Sequence, residues 1–275
     1  MKYNYLIGTG WWCTNSDDRE DKFLNGDDQI RGVEFHQLWA KSIATYTNPQ
    51  KIVVIDSDSP IKPNWKTDIL DFEVITLLNN LGHATSLVDS KFCGWSASVI
   101  MSMQYANLSD VDFYVYIEQD ALVYGNNIIE ENIRLMQGNV DFLFGSSETK
   151  AQPLQQSFFI IRRAAIDKFL VRLMNIKYSD AQICPEVKFA IASSPLSIFF
   201  PKFLFKQYPG KKIGKFSRRF VVLLCRIISG YKFLKFGYGR TRPINFMDKH
   251  LYFQHGNTEE LIAYKNLLSR DLNLD

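Results

Sequence analysis

Short apolar runs rich in β-branched residues alternate with helical patterns as far as residue 174, and this alternation constrains the fold more than any other feature. Strands are predicted at 4–12, 51–55, 112–117, 140–145 and 156–162, and helices at 32–46, 94–106, 127–136 and 164–174. Segment 72–78 fits either a strand or a short helix. Strands that alternate with helices predict an α/β fold with a mainly parallel central sheet, covered by helices on both faces.

Two clusters of polar residues come directly after predicted strands. The run DSDSP at 56–60 follows the strand at 51–55, and EQD at 118–120 follows the strand at 112–117. In open parallel sheets, ligands bind outside the carboxyl ends of the strands. Both clusters are therefore predicted to line a binding site.

The run Glu118-Gln119-Asp120 is suited to hold a divalent cation. Carboxylates two residues apart on an extended chain project to the same side. Mg²⁺ and Mn²⁺ prefer hard oxygen ligands and keep waters and substrate phosphates in their shell, so one or two protein carboxylates suffice. The other interpretation is a solvated acidic turn, but the position directly after YVYI favours the cation site.

The segment DFYVYIEQDALVYG resembles the strand and DxD element of glycosyltransferases of the GT-A fold. The order of the preceding elements, YNYLIGTG, KIVVIDSDSP and CGWSASVIMSMQYA, is also similar. The resemblance implies a metal-dependent glycosyltransferase that uses a nucleotide-sugar donor, with a UDP-sugar as the default. It further implies one GT-A-like domain over 1–275, with a nucleotide-sugar half at about 1–150 and an acceptor half at about 151–275.

The resemblance also assigns the metal ligands. Asp120 would bind Mn²⁺, or Mg²⁺, where the metal bridges the diphosphate, and Glu118 would reach the ribose or a metal-bound water. His255 would be a second metal ligand near the end of the fold, with His250 as its competitor. An imidazole on Mn²⁺ is ordinary chemistry.

Four further residues are predicted to contact the nucleoside. Asp56 and Asp58 would accept hydrogen bonds from the nucleobase or ribose, although either could instead serve an Asx-type turn before Pro60. Thr9 and Gly10 would line the same pocket. Turn geometry alone is another explanation for Gly10.

Glu186, in ICPEVKFAIA, is the candidate general base. An inverting transferase needs a carboxylate that deprotonates the acceptor hydroxyl. A glutamate in the first turn of a helix is also favoured by the helix dipole, which is the structural interpretation. Glu148 is the alternative base, and a retaining enzyme would need none, so the anomeric outcome stays open.

Residues 201–242 form a basic segment with twelve Lys or Arg and no Asp or Glu, whereas the rest of the chain has 20 basic and 29 acidic residues. No clear period is visible from 195 to 242, and a strand at 251–254 and a helix at 259–269 follow. Arg240, Arg242 and Lys249 are nearest His255 and could neutralise a departing diphosphate. The segment could instead contact an anionic membrane surface peripherally. Nucleic acid is disfavoured because no binding signature accompanies it.

Composition argues against a disordered chain and against a membrane-spanning segment. A chain with 46% hydrophobic and 22% charged residues is not wholly disordered. Segment 220–234 is too short to span a bilayer and contains Arg226 and Lys232. The N-terminus lacks a signal-peptide pattern, and four cysteines without a CxxC spacing predict reduced thiols and a cytoplasmic location. A peripheral position at a membrane is the alternative that the basic segment leaves open.

The predicted acceptor is a hydroxyl of a glycan or glycolipid. A sugar nucleotidyltransferase is the alternative enzyme, but its phosphate loop is normally Gly-rich and basic, whereas IGTGWWCTNSDD is acidic. A non-catalytic adaptor for membranes or nucleic acid is the third class, and it would leave EQD and His255 without a role.

Overall fold

The computed structural model describes residues 3–14, 26–66, 69–83, 90–136, 138, 140–146, 152–206 and 213–272, apart from the side chains of 213–216. The strands within these residues are β1 (Tyr5–Trp11), β2 (Lys51–Asp56), β3 (Phe72–Thr76), β4 (Phe113–Ile117), β5 (Ala121–Tyr124), β6 (Phe142–Gly145), β7 (Gln155–Arg162), β8 (Lys232–Phe233) and β9 (Leu251–Gln254). The helices are α1 (Phe35–Tyr46), α2 (Gly94–Asn107), α3 (Ile128–Ile133), α4 (Ile166–Met174), α5 (Pro185–Ser193), α6 (Ile213–Ile227) and α7 (Thr258–Leu272).

Seven strands form one sheet in the order β3-β2-β1-β4-β7-β6-β8. The pairs β3–β2, β2–β1, β1–β4 and β6–β8 are parallel, whereas β7 runs antiparallel to β4 and β6. A parallel pair of consecutive strands needs a crossover connection of about a dozen residues or more. The connection from β6 to β7 is shorter than that, so these two strands pair antiparallel. The predicted α/β fold with a mainly parallel sheet flanked by helices is confirmed.

Side chains of the central strands alternate between two cores. On β4, Phe113, Val115 and Ile117 enter one core, and Tyr114 and Tyr116 enter the other. Helices α1, α3 and α7 cover the first core, and α2, α4, α5 and α6 cover the second. Burial on both faces explains why the strands are almost continuously apolar in sequence.

Glycines on β1 allow α2 to approach the sheet closely. A Cβ atom at Gly8 would lie 2.6 Å from the Ser102 Oγ, and one at Gly10 would lie 2.8 Å from the Ser98 Cβ. The small serines of α2 therefore occupy the space that side chains on β1 would need. This packing sets the amino end of α2 beside the carboxyl ends of the strands.

A separate two-stranded ribbon joins distant parts of the chain. Strands β5 and β9 pair antiparallel, with Ala121 opposite Gln254 and Tyr124 opposite Leu251. Because β5 follows β4 after a tight turn, this pairing carries the end of β9 to the turn at 118–120. The ribbon thus controls which late residues reach the carboxyl edge of the sheet.

The structure contains three regular elements that the sequence prediction lacks. The stretch from 195 to 242, predicted to lack a period, contains α6 and β8, and β5 has no counterpart among the predicted strands. Helix α6 buries one face, and exposed apolar residues flank that face, so residues 220–225 appear in the sequence as one continuous apolar run. Segment 72–78, which fitted either type, forms strand β3.

No helix among the residues described above is long and apolar enough to cross a membrane.

Candidate functional site

A single amide joins two carboxylates at the carboxyl end of β4. Gln254 donates from Nε2 to the Glu118 Oε2 at 2.8 Å and to the Asp120 Oδ1 at 2.9 Å. The Gln254 Oε1 accepts from the Arg240 Nε at 2.9 Å. A primary amide has two N–H donors and one carbonyl acceptor, so these contacts use both ends of the side chain. The two predicted acids are held side by side.

His255 completes this cluster. Its Nε2 lies 3.2 Å from the Asp120 Oδ2, and the two side chains remain 18% and 11% exposed, so a ligand can reach both. The backbone of His255 has a φ of 57°, a left-handed conformation that is uncommon outside glycine. The structure therefore brings Asp120 and His255, the two predicted metal ligands, together.

The pKa values of the two carboxyl groups are shifted in opposite directions. Burial, and next the charge of Asp120, raise the pKa of Glu118 well above its usual range. Burial also works against ionisation of Asp120, but His255, Gln254 and Arg240 outweigh it and lower the pKa of that carboxyl. The cluster therefore favours the ionised form of Asp120. A bound cation would stabilise the ionised form of Glu118, which burial and the charge of Asp120 disfavour.

Arg240 is the cation that acts on the cluster. Besides its bond to Gln254, its charge favours the ionised forms of both Glu118 and Asp120. The Arg240 backbone N–H donates to the Gln155 Oε1 at 3.0 Å, which ties this arginine to β7. The guanidinium is thus fixed at the edge where the carboxylates meet.

The other two predicted cations have different surroundings. Arg242 forms an ion pair with Glu260 and donates from NH2 to the Gln254 backbone oxygen at 2.8 Å, so it fastens the end of β9 to α7. Lys249 precedes β9 at the end remote from Gln254, where its carbonyl packs against Gly125. The structure does not bring Lys249 to the cluster.

Glu186 lies in the first turn of α5 and is buried. Its Oε1 accepts from the Gln152 Nε2 at 2.6 Å. After burial, Asp120 and Arg240, the charge of Glu186 is a further influence on the pKa of Glu118, which it raises. The candidate base therefore lies near the carboxylate cluster. Glu148, the alternative base, lies outside the described residues.

Asp56 ends β2 and holds a turn. Its Oδ1 accepts from the Ser59 hydroxyl at 2.5 Å and its Oδ2 accepts from the Ser59 backbone N–H at 3.2 Å. It also borders a surface cleft of about 850 Å³ that Trp65 lines. Asp58, in the same turn, is exposed with a φ of 54°. The contacts of Asp56 match the Asx-type turn, the second interpretation of this residue.

Thr9, Gly10 and His250 contact other parts of the protein rather than an open site. Thr9 is fully buried, and the close approach at Gly10 is to α2 rather than to an open pocket. The His250 Nε2 donates to the Asn126 carbonyl at 3.0 Å, at the far end of the ribbon from Asp120. Thr9 and Gly10 therefore do not present side chains to a ligand, and His250 does not reach the cluster.

The donor atoms of Asp120 and His255 fit a hard divalent cation. Within the described part of the chain, no group of three or more His, Cys, Asp or Glu side chains is arranged to hold a metal. The 3.2 Å between the Asp120 and His255 donor atoms is about the separation of two adjacent ligands on an ion with bonds of about 2.1 Å. Since Mg²⁺ and Mn²⁺ complete their shells with water and phosphate, two protein ligands are enough.

Comparisons with known proteins find no matching protein-family model and no matching curated protein. The chain is similar to a solved structure of S. aureus TarS 1-349 in complex with UDP, at 12% identity over 69% of this chain and 54% of that chain, with a TM-score of 0.41. It is also similar to the mannosyltransferase PcManGT from Pyrobaculum calidifontis in complex with GDP-Man and Mn²⁺, at 9% identity over 70% and 61%, with a TM-score of 0.40. The similarity thus spans less than two thirds of the length of each of these two neighbours.

Two amides in the site had no role in the sequence prediction. Gln254 ends an apolar strand, and only its place beside His255 hinted at a function. The Gln119 side chain forms two bonds with the Trp12 backbone, accepting from its N–H at 2.6 Å and donating to its oxygen at 3.0 Å. Gln119 therefore fastens the EQD turn to the end of β1.

Proposed function

We propose that this protein transfers a sugar from a nucleoside diphosphate donor, with UDP as the default nucleotide, to a hydroxyl of a glycan or glycolipid. The observation that carries the proposal is the cluster of Glu118, Asp120 and His255 at the carboxyl edge of the sheet, with a separate buried acid, Glu186, nearby. Metal-dependent sugar transfer with inversion uses one acidic group to bind the cation and a second acidic group to accept the proton of the acceptor hydroxyl.

Asp120 and His255 would hold Mn²⁺ or Mg²⁺, with Glu118 at a bound water or at the ribose. When bound, the metal supplies Lewis-acid stabilisation to the departing diphosphate. Gln254 keeps both carboxylates in place before the donor arrives, so little reorganisation is needed. Arg240 adds fixed positive charge at the edge where negative charge develops.

Glu186 would act as the general base. Its carboxylate takes the proton of the acceptor hydroxyl as that oxygen bonds to the anomeric carbon. The bond from that carbon to the diphosphate oxygen breaks, and its electron pair leaves with the nucleoside diphosphate. The Gln152 bond to Oε1 leaves the other carboxylate oxygen to receive the proton. This assignment gives inversion at the anomeric carbon.

The donor nucleoside would lie along the ends of β1 and β2. Asp58 is exposed beside Asp56, which borders the cleft of about 850 Å³. Because Thr9 and Gly10 are covered, their contribution would be to support the loop after β1. In this arrangement, about the first 150 residues would bind the donor, and the later half of the chain would contact the acceptor.

The activity test measures product release from a panel of nucleotide-sugars with Mn²⁺, Mg²⁺ or EDTA. Sugar transfer releases a nucleoside diphosphate, whereas a nucleotidyltransferase working in reverse consumes pyrophosphate and releases a nucleoside triphosphate. We expect a nucleoside diphosphate, released only with a metal. Pyrophosphate-dependent triphosphate formation would contradict the proposal.

The Glu186→Gln variant tests the base. We expect it to retain donor binding and lose transfer by about 100-fold or more, the usual effect of removing a general base. Glu259→Gln is the matched control, because Glu259 also lies in the first turn of a helix but is exposed on α7. Near-normal transfer by Glu186→Gln would move the role to Glu148 or favour retention, and NMR of the product anomer separates these two.

A further inference from the structure

One exposed flank of α6 is apolar. Phe220, Leu223 and Ile227 are 41%, 54% and 59% exposed. Their spacing of three and four residues places them on one face of the helix. The residues on the adjoining face, Val221, Leu224, Cys225 and Ile228, are buried in the second core. The apolar surface of α6 therefore extends from its buried face onto one exposed flank.

A second group of exposed apolar side chains precedes α6. Ile198, Phe199 and Phe203 are 70%, 74% and 56% exposed, and they lie in two short 3₁₀ turns, Pro195–Phe199 and Lys202–Phe205. Scattered apolar residues are normal on a protein surface, but large contiguous groups mark interaction sites.

The two groups lie next to each other. The Ser217 hydroxyl, near the start of α6, donates to the Lys206 carbonyl at 3.4 Å. Beyond the end of α6, Gly230 packs so closely on Ser193 that a Cβ would lie 2.3 Å from its carbonyl oxygen. The segment from 194 to 206 therefore runs antiparallel beside α6. We call the six exposed side chains at 198, 199, 203, 220, 223 and 227 the apolar strip.

The segment that carries most of the apolar strip has only positive charges. Residues 201–242 include twelve Lys or Arg and no acid. Among those that the structure describes, Arg219 and Arg226 are exposed on α6 beside the strip, and Arg218 is exposed one residue earlier. Large apolar side chains bordered by cations suit a surface that offers both hydrocarbon and negative charge.

We propose that the apolar strip and its cations dock the protein on an anionic lipid bilayer. A helix of this kind lies in the plane of the interface, with its apolar side chains at the boundary between headgroups and acyl chains. Each cation near an anionic leaflet adds to the attraction. Self-association through the strip would instead bring two uniformly positive segments together, and like charges repel. A nucleic acid would match the cations but not exposed leucine and isoleucine.

The docking face and the catalytic edge lie at opposite ends of α5, a relation that rests on the proposed function. Glu186 is in the first turn of α5, and Ser193 ends the helix where the segment of the strip begins. Nine helical residues span about 14 Å. An acceptor that extends from the bilayer by a few sugar units would therefore be within reach of the base.

The test is flotation of the full chain with vesicles of phosphatidylcholine alone or of an equal mixture with phosphatidylglycerol. We expect flotation only with the mixture, and a steep decrease between low and physiological salt, where the Debye length is about 8 Å. Arg218→Gln with Arg219→Gln should weaken partitioning by about fivefold for each cation removed. Lys41→Gln with Lys265→Gln is the matched control and should have no effect, because these exposed cations lie on α1 and α7, which cover the other face of the sheet.

Leu223→Glu with Ile227→Glu tests the apolar part, and Ile262→Glu on α7, where Ile262 is 54% exposed, is the matched control. We expect the strip variant to lose flotation while its thermal unfolding and its nucleotide binding match the control. Flotation that persists in the strip variant would overturn the proposal. So would a wild-type chain that fails to float but is a dimer in solution that the strip variant dissociates. Docking without sugar transfer would contradict the proposed function and leave the docking inference intact.

Discussion

At the scale of single residues, the site depends on an amide as much as on the acids. Gln254 has three polar neighbours, Glu118, Asp120 and Arg240, at 2.8–2.9 Å. Acids and a histidine could be selected from the sequence because their side chains bind metals directly. Gln254 could not, since its contacts are made only after β9 pairs with β5, more than 130 residues from the acids.

Gln254→Leu should weaken Mn²⁺ binding by about 10–100-fold, the usual cost of losing a partner that orients metal ligands. The physical reason is that both carboxylates lose a charge-assisted hydrogen bond and Arg240 loses its acceptor. Calorimetric titration with Mn²⁺ measures the effect, and circular dichroism verifies the fold. Unchanged Mn²⁺ affinity in a folded variant would show that Gln254 does not organise the site.

At the scale of elements, the sequence predicted the first half of the fold better than the second. The strands β1, β2 and β4 are buried on both faces, so their apolar runs are unambiguous. Helix α6 was missed because exposed apolar residues flank its buried face, so that residues 220–225 form one continuous apolar run in the sequence. Strand β5 was missed because its four residues are too few to show an alternation of apolar and polar side chains.

Helix α5 is held in place by a buried ion pair. The Lys188 Nζ lies 2.6 Å from the Asp180 Oδ1, and the two side chains are 1% and 0% exposed. The Asp180 Oδ2 accepts from the Cys93 backbone N–H at 2.8 Å, at the start of α2. The pair therefore joins α2 to α5, the helix that carries Glu186 in its first turn.

Lys188→Met should destabilise the protein by about 3–5 kcal/mol, because it leaves the Asp180 charge buried without a counter-ion. Urea unfolding measures the change in free energy. The double variant Lys188→Met with Asp180→Leu should recover part of that loss, since no lone charge then remains buried. A loss below about 1 kcal/mol in the single variant would mean that Asp180 finds another partner.

At the scale of the whole molecule, charge is divided between two regions. The net charge of +3 combines an acidic body with the basic segment 201–242. The carboxylate cluster lies at the carboxyl edge of the sheet, and the apolar strip lies beyond the far end of α5. This arrangement fits an enzyme that takes a water-soluble donor at one edge and rests on a surface at another.

The most direct test of the central claim is calorimetric titration of UDP into the wild-type protein and into Asp120→Asn, each with Mn²⁺ and with EDTA. Asp110→Asn is the matched control, because Asp110 is an exposed aspartate at the amino end of β4, opposite Asp120. We predict that Mn²⁺ strengthens UDP binding in the wild type and in Asp110→Asn, and has no effect in Asp120→Asn. Equal Mn²⁺-dependent UDP binding in all three proteins would contradict a metal site at Asp120.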